Sequence, residues 1–435
     1  MVDRYRRDAL SLLVRLDEGK IVFLDQAYTA CSREYTPHER DLLVSLVRGV
    51  VKFRRKIDAV AKTYLPRWER LPRVVQNALR LGIFQLLFHT HVPSFAVVHE
   101  WVEVVKVSGY SAFAALINAV LRQVSGGLEN YRKEADAWGV DVPFWLEDEW
   151  KEMIGDVQLP VLLRSLALPP PLFVRVNTLR VKEDELQHLL AQRGIPSRKT
   201  FIQGALEVVT NYSTLVQTPE YVQGFFYPQD LGSQIVGHLV HPQPGECVVD
   251  ACCGVGGKTL LLAQLMEDRG CIFAWDTNAK RIALLRRFLK RTGVTIVQPD
   301  VYDCLKPPHR FLSIADRVLL DAPCSNIGTI RRNPEVLLRV RKEDLVLCAE
   351  KQLALLRSLL QVVRPGGLMV YSVCTLTREE TIEVVNAFEK ETGSSVERVQ
   401  LRSECVDGGT NGYVFLWPHE YLCDGFFVAA WRKVR

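Results

Sequence analysis

Nowhere in these 435 residues does an uninterrupted apolar run approach the eighteen or so needed to cross a bilayer. The opening MVDRYRRDAL has charges but neither an apolar signal core nor a cleavage site. Both absences predict a cytoplasmic protein with no membrane partner. The eleven cysteines include no C-x-x-C pair and show no regular spacing, which argues against a disulfide framework and against a zinc site; no metal is expected. Most of these thiols, Cys31, Cys271 and Cys348 among them, read as small apolar residues. There is also no internal repeat and no low-complexity tract.

What is present is an ordinary globular composition, 48% hydrophobic and 24% charged, on a chain long enough for two or three domains. Charge is uneven. Residues 1–135 hold 21 Lys and Arg against 14 Asp and Glu, a surplus of seven, although the whole chain carries only +5. Within that basic front, RGVVKFRRK (Arg48 to Lys56) has five cations and no acid. It follows a helical pattern of Leu42, Leu43, Leu46, Val47 and Val50, so the cations crowd a helix end where they complement its dipole. Arg54, Arg55 and Lys56 therefore have two open readings, a solvated helix terminus and a patch that contacts RNA phosphates.

Up to about residue 135 the periodicity is helical only, with Pro72 and Pro93 marking starts and Gly109 and Gly126 marking stops. A Pro triplet, Pro169 to Pro171, punctuates the next stretch. Strand-like LFVRVN, a helix KEDELQHLLAQRG and strand-like ALEVV follow, which predicts a small α/β module over 136–225. From 226 to 435 short apolar strands (CVVDAC, CIFAWD, TIVQPD, RVLLDAP, LMVYSVCT) alternate with helices. Such alternation predicts a mostly parallel, doubly wound, Rossmann-like sheet whose ligands bind beyond the carboxyl ends of its strands.

The chemistry-bearing residues all fall at such ends. VVDACCGVGGKT places Gly254, Gly256 and Gly257 between a strand and a helix, where backbone can approach a ligand closely. GGKT resembles the end of a nucleotide P-loop, but that motif needs glycine where Cys252 stands. Asp276 closes the second strand, nineteen positions after Gly257, where a carboxylate can accept ribose hydroxyls. Asp300 closes the third, placed to face an adenine amino group. A solvated strand-end acid is the alternative for each. A glycine loop followed by two such acids suits S-adenosylmethionine, which has no pyrophosphate to bind.

Two thiols complete the pattern. Cys324 in DAPCSNIG and Cys374 in YSVCTL each follow a strand, and if both strands share the sheet, both sulfurs emerge at its ligand-binding edge beside a methyl donor. Such a set fits methylation of a pyrimidine at C5. That carbon is a poor nucleophile until a thiolate adds at C6; afterwards a base must remove the C5 proton before the thiol can leave.

LLDAPCSNIGTIRRNPE and VYSVCTLTREE, together with DACCGVGGKT, resemble the RNA cytosine-C5 methyltransferases of the NOL1/NOP2/Sun family, and the helical front is similar to NusB, an RNA-binding factor. The resemblance covers nearly the whole chain. It implies an all-α NusB-like RNA-binding domain over 1–135, a small α/β RNA-binding module over 136–225 and a Rossmann-like methyltransferase domain over 226–435. It implies further that the substrate is small-subunit (16S) ribosomal RNA, at cytosine 967; separately, no oligomer is indicated by the sequence and a monomer is expected.

By the same resemblance Cys374 is the nucleophile, Cys324 assists product release, and Asp321 meets N3 or the exocyclic amine of the cytosine while closing the cofactor pocket. Lys258 reaches toward the reacting centre. Cofactor contacts run through Cys252, Cys253, Gly254, Val255, Gly256, Gly257 and Lys258 and include Asp276, Asp300 and Asp321. Arg331 and Arg332, just after the Cys324 loop, either hold RNA phosphates or form an exposed solubilising pair.

Three positions depart from the family pattern: Val255 where Pro is usual, Val373 where Thr is usual, and Leu338 where an aromatic is expected. None removes a reacting group. The ending LCDGFFVAAWRKV also resembles the family's, with Asp424 a weak candidate and Phe426 and Phe427 explained by packing. The competing class is a noncatalytic RNA-binding assembly or antitermination factor; within the enzyme class, another RNA such as tRNA is the alternative substrate.

Overall fold

Pro72 and Pro93 stand immediately before helices, as their fixed φ and missing N–H favour: Arg73–Phe88 follows the first and Ser94–Val105 the second. Thr36 starts Pro37–Lys52 with a reciprocal cap in which its hydroxyl accepts the Glu39 N–H (3.3 Å) and Glu39 accepts the Thr36 N–H (2.8 Å). The computed structural model describes residues 3–21, 23–31, 35–403, 406–407 and 412–434. The side chain of Cys31 lies outside the described residues.

The chain divides into two compact units, Met1–Pro169 with Ile330–Arg339, and Pro170–Thr329 with Val340–Arg435. Helical structure in the first unit continues beyond residue 135 through Phe144–Ala167, which is interrupted at Gly155. The stretch Ser94–Gly126 is apolar and long enough to span a membrane by composition alone. It is not one continuous helix, because Gly109 turns the backbone at φ 86° and separates Ser94–Val105 from Ala114–Gly126. The two pack on each other and bury Trp101, Val104, Ile117, Val120 and Leu121.

The second unit holds two main sheets. Strands β1 (Leu172–Val176), β2 (Ser197–Lys199), β3 (Ala205–Val208) and β4 (Phe226–Pro228) form one in the order β2-β3-β1-β4, with the helix Glu183–Gln192 between β1 and β2. The larger contains β5 (Cys247–Ala251), β6 (Cys271–Asp276), β7 (Val297–Val301), β8 (Ala315–Asp321), β9 (Val363–Val373), β10 (Val396–Arg398) and, after the short β11 (Arg402–Ser403) and β12 (Val406–Asp407), β13 (Tyr413–Leu416) and β14 (Phe426–Lys433). Its order is β10-β14-β9-β8-β5-β6-β7, with β13 beside β14. The core from β9 to β7 is parallel, while β14 returns antiparallel to β9, so the sheet is mixed.

The central strands read as unbroken apolar runs because both their faces are covered. Val248, Leu319 and Val370 enter one core cluster, whereas Val249, Val318, Leu320, Met369 and Tyr371 enter the other. Alternation therefore sorts one apolar sequence into two cores.

In the helical unit, Gly49 lies against Phe84, and a Cβ there would come within 2.0 Å of the ring tip. Phe84 cannot yield freely, since Phe53 stacks on it and Phe88 lies tilted against it, with centroids 6.5 and 4.8 Å away. Gly49→Ala gains about 1 kcal/mol of helix propensity but overpacks a buried contact at about 1–3 kcal/mol. A net loss of stability in urea denaturation is expected.

Candidate active site

Four parallel strands, β5, β6, β8 and β9, end at one edge of the large sheet, and a cleft of about 560 Å³ opens there. Its first wall is the loop from β5 to the helix Gly257–Leu265. Cys252 (φ 60°), Gly254 (φ 59°) and Gly256 (φ 86°) fold it tightly. At Gly256 a Cβ would sit 2.2 Å from Leu285 Cδ1, so that position needs glycine for both its angle and its space. Cys252, Cys253, Gly254, Val255 and Gly257 line the cleft; Gly256 supports the turn from behind. Val255 keeps the loop intact and faces the cleft.

Asp276, at the end of β6, is buried and pins this loop: its carboxylate accepts the Gly254 N–H (3.0 Å) and the Asn278 N–H (2.7 Å). Asp300, in β7, is exposed and is not among the residues that line the cleft. Asp303, three residues further on, lines the cleft instead. The P-loop alternative also fails. Thr259 is fully buried and donates to Asp250 (2.5 Å), and Lys258 turns to Asp321, so neither is presented to a phosphate.

Lys258 Nζ lies 2.8 Å from Asp321 Oδ2 and 4.9 Å from the centre of the Phe426 ring. Burial alone would lower its pKa, but the Asp321 carboxylate and Cys374 hold it above the usual lysine range. Ser372 Oγ donates to the other Asp321 oxygen (2.8 Å). Asp250 is fully buried and its carboxyl is pushed up to about 7, by burial first, against the Thr259 hydrogen bond. Its Oδ1 has no hydrogen-bond partner.

The two sulfurs meet: Cys324 Sγ and Cys374 Sγ, both free thiols, are 3.3 Å apart. Cys374 donates to Asn326 Oδ1 (3.1 Å). A thiol has one proton, so with Cys374's committed to Asn326, the contact between the sulfurs is made by the Cys324 S–H. The hydrogen bond to Cys374, together with burial, raises Cys324 well above the ordinary thiol range.

A closed polar circuit ties the residues after each cysteine together. Ser325 N–H donates to Glu380 Oε1 (2.9 Å), Ser325 Oγ pairs with Thr375 Oγ1 (2.9 Å), Thr375 with Thr377 (3.4 Å), and Thr377 Oγ1 donates to Glu380 Oε2 (3.3 Å). Gln352 Nε2 donates to Glu380 Oε1 as well (2.9 Å). Gly328 N–H donates to the Cys374 carbonyl (3.0 Å), and a Cβ at Gly328 would meet the Gly425 oxygen at 2.1 Å. Asn326, Glu380 and Asp303 were not singled out from the sequence. The first two lie within DAPCSNIG and TLTREE, where the cysteines drew the reading; Asp303 lies two residues beyond the end of β7.

The cations proposed as phosphate contacts are engaged within the helical unit. Arg54 grips Asp17 with both terminal nitrogens (2.6 and 2.9 Å), and Lys56 binds Asp141 (2.5 Å). Arg55 donates to the Val142 carbonyl (2.8 Å) and lies over Phe144. Arg331 is 6% exposed and donates to the Leu168 and Pro169 carbonyls (3.4 and 2.8 Å), which fits neither reading offered for it; Arg332 is half-buried. In the second unit Asp424 is buried, and its N–H donates to Asp230. Val373 is fully buried in β9, and Leu338 is exposed.

A parallel-centred sheet with a glycine loop, strand-end acids and an orphaned buried carboxylate oxygen facing the cleft fits a cationic nucleoside. That is the cleft of an S-adenosylmethionine-dependent methyltransferase. Residues 237–432 match the family described as 16S rRNA methyltransferase RsmB/F, 4–126 the NusB family, and 142–213 the ferredoxin-like domain of RsmF/B-like methyltransferases. A Thermus thermophilus protein named ribosomal RNA small subunit methyltransferase B is 32% identical over 98% of this chain and 97% of its own. A mouse 28S rRNA (cytosine-C(5))-methyltransferase is 33% identical over 63% of this chain and 37% of its own. The solved structure of PH0851 superposes with TM-score 0.78 at 27% identity, covering 98% of this chain and 99% of that one. The chain belongs to the ribosomal RNA small subunit methyltransferase B family, and it is an S-adenosylmethionine-dependent methyltransferase.

Two outcomes are expected of the buried acids. Asp250, raised in the folded state from 3.8 to about 7, contributes stability that is complete below the unfolded value and is lost as pH rises through the folded one. Wild-type stability should therefore fall between about pH 4 and pH 7 relative to Asp250→Asn, by about 2–4 kcal/mol, as read by denaturant titration across that range. Glu380→Ala strips an acceptor from three donors, Ser325 N–H, Gln352 Nε2 and Thr377 Oγ1. A loss of about 2–4 kcal/mol is expected, with Glu380→Gln losing less than half of that in the same measurement.

Proposed function

We propose that this protein methylates C5 of a cytosine in small-subunit ribosomal RNA, at position 967 of 16S rRNA, through a covalent adduct between Cys374 and C6 of the base. The observation that carries the reading is the asymmetric thiol pair, with one sulfur held protonated against another at 3.3 Å in the cofactor cleft. S-adenosylmethionine, when bound, supplies an electrophilic methyl group. Asp250, Asp276, Asp303 and the Gly254–Val255 backbone are the groups that would hold it.

Cys374, as thiolate, forms the sulfur–C6 bond and moves the C5–C6 π pair onto C5, which makes that carbon able to take up the methyl group. Lys258 and the Cys324 S–H favour the negative sulfur. Asp321, oriented by Lys258 and Ser372, meets N3 or the exocyclic amine and selects cytosine. Cys324 serves the later step. Once Cys374 is bonded to C6, the Cys324 thiol gives its proton to water in the cleft, and the resulting thiolate takes the C5 proton and returns to the S–H form. The C5–C6 double bond then re-forms and Cys374 leaves as thiolate. The base has to be unstacked from the RNA to reach both sulfurs.

The same reading assigns RNA binding to the NusB-like helices and the ferredoxin-like module, with the chain acting as a monomer in the cytoplasm. Cys374→Ala is expected to abolish methyl transfer. Cys324→Ala is expected to retain adduct formation and stall release, giving a protein–RNA band that survives denaturing electrophoresis. Bisulfite mapping of rRNA from cells with and without the protein locates the base. Retained methylation by Cys374→Ala would overturn the assignment of the nucleophile, and an unchanged map would overturn the assigned substrate.

A further inference from the structure

Asn326 is one of the few non-glycine residues held in left-handed backbone, at φ 63°, a conformation in which asparagine is tolerated but glycine is favoured. Its amide is spent on the two reacting loops. Nδ2 donates to the Cys324 carbonyl (3.0 Å), and Oδ1 accepts the Cys374 thiol (3.1 Å). The orientation of the amide is determined by this chemistry, because a carbonyl can receive only the NH₂ end, which leaves the oxygen for the sulfur. Its own carbonyl accepts the Thr329 N–H (3.0 Å) and hydroxyl (2.8 Å), so the strained residue is held on every side.

We propose that Asn326 is a positioning residue for the Cys374 sulfur. One planar amide, anchored on the backbone of Cys324, receives the Cys374 S–H. It thereby fixes the direction of that thiol and decides which of the two sulfurs donates across the 3.3 Å contact. With the Cys374 proton held by Asn326, Cys324 must point its proton at Cys374, the arrangement that leaves Cys374 stabilised when it ionises. The inference rests on the C5-methylation reading for its consequence in turnover, but not for its consequence in the free protein.

Substitution at this position separates backbone from amide. Asn326→Gly relieves the left-handed strain while deleting both amide hydrogen bonds, so the variant should fold at least as well as the wild type. Asn326→Asp keeps the oxygen and adds a charge beside the sulfur.

Iodoacetamide labelling of the free protein at fixed pH, with each cysteine peptide followed by mass spectrometry, reads the thiol directly. Removing an acceptor that holds the S–H form should make Cys374 label about threefold to tenfold faster in Asn326→Gly, and the added charge should make it label at least as many times slower in Asn326→Asp. In methyl transfer, Asn326→Gly should lower kcat about tenfold with KM for RNA unchanged, and Asn326→Gln should not rescue it, because the longer side chain cannot reach both partners. A residue with only a structural role would change the melting temperature without changing the labelling ratio of Cys374. Wild-type labelling of Cys374 in both variants overturns the proposal. If the labelling contrast holds while the wild type itself transfers no methyl to cytosine RNA, the functional reading fails and the positioning role stands.

Discussion

The site depends on the parallel pairing of β8 with β9. Their register sets Leu319 opposite Val370 and Asp321 opposite Ser372. Neighbouring strands lie about 4.8 Å apart, so whatever follows Asp321 and Ser372 emerges side by side. Cys324 is three residues past the first and Cys374 two past the second, and their sulfurs meet without either loop having to travel. A slip of one residue would exchange the faces of β9 and send Tyr371, now buried in one core, into the other. The two apolar cores on opposite faces therefore protect the catalytic register as well as the fold.

Strand pairing brings the thiols close, but side chains decide what each one does. Glu380 and its ring of hydroxyls hold the two loops to each other, Asn326 takes one thiol proton, and Lys258 with Asp321 supplies a neutral ion pair at the same edge. Each buried polar atom in this group is worth little by itself against solvation, and most of the cost appears when one is left without its partner. The arrangement gives the two sulfurs different hydrogen-bond partners although both are cysteines in a shared environment.

Much of this was legible in sequence. Strand–helix alternation announced the sheet, and the cysteine motifs sat at strand ends because apolar runs stop where a strand leaves the core. The mixed character of the sheet was less visible, since the antiparallel return of β14 (Phe426–Lys433) has the same apolar composition as a parallel strand and only pairing distinguishes them. Asp303 was harder to find than Asp300. Asp300 stands in an apolar strand and draws the eye, whereas Asp303, which lines the cleft, lies two residues past the strand's end at Val301 in a stretch with no periodic pattern. Asn326 was hidden for another reason: its role depends on a left-handed backbone angle and on a partner 48 positions away, and neither has a periodic signature.

The basic front of the chain shows how formal charge and available charge part company. RGVVKFRRK looks like a cationic surface, but Arg54 and Lys56 are matched to Asp17 and Asp141, which stand far from them in sequence. Lys52 is buried against the Ala167 and Leu168 carbonyls, where burial, with Arg331 and Arg48 nearby, lowers its pKa to about 7. A paired cation offers a phosphate little, since capturing it means giving up an ion pair already formed. Asp141 lies beyond residue 135, so the surplus of seven counted over residues 1–135 is not that of the helical unit: residues 1–169 with 330–339 hold 26 Lys and Arg against 22 Asp and Glu, a surplus of four that internal pairing leaves unchanged. At distances beyond individual contacts the helical unit still presents a positive field, and attraction of a polyanion depends on that sum. The stretch that reads as a cationic surface is instead occupied with holding the domain together.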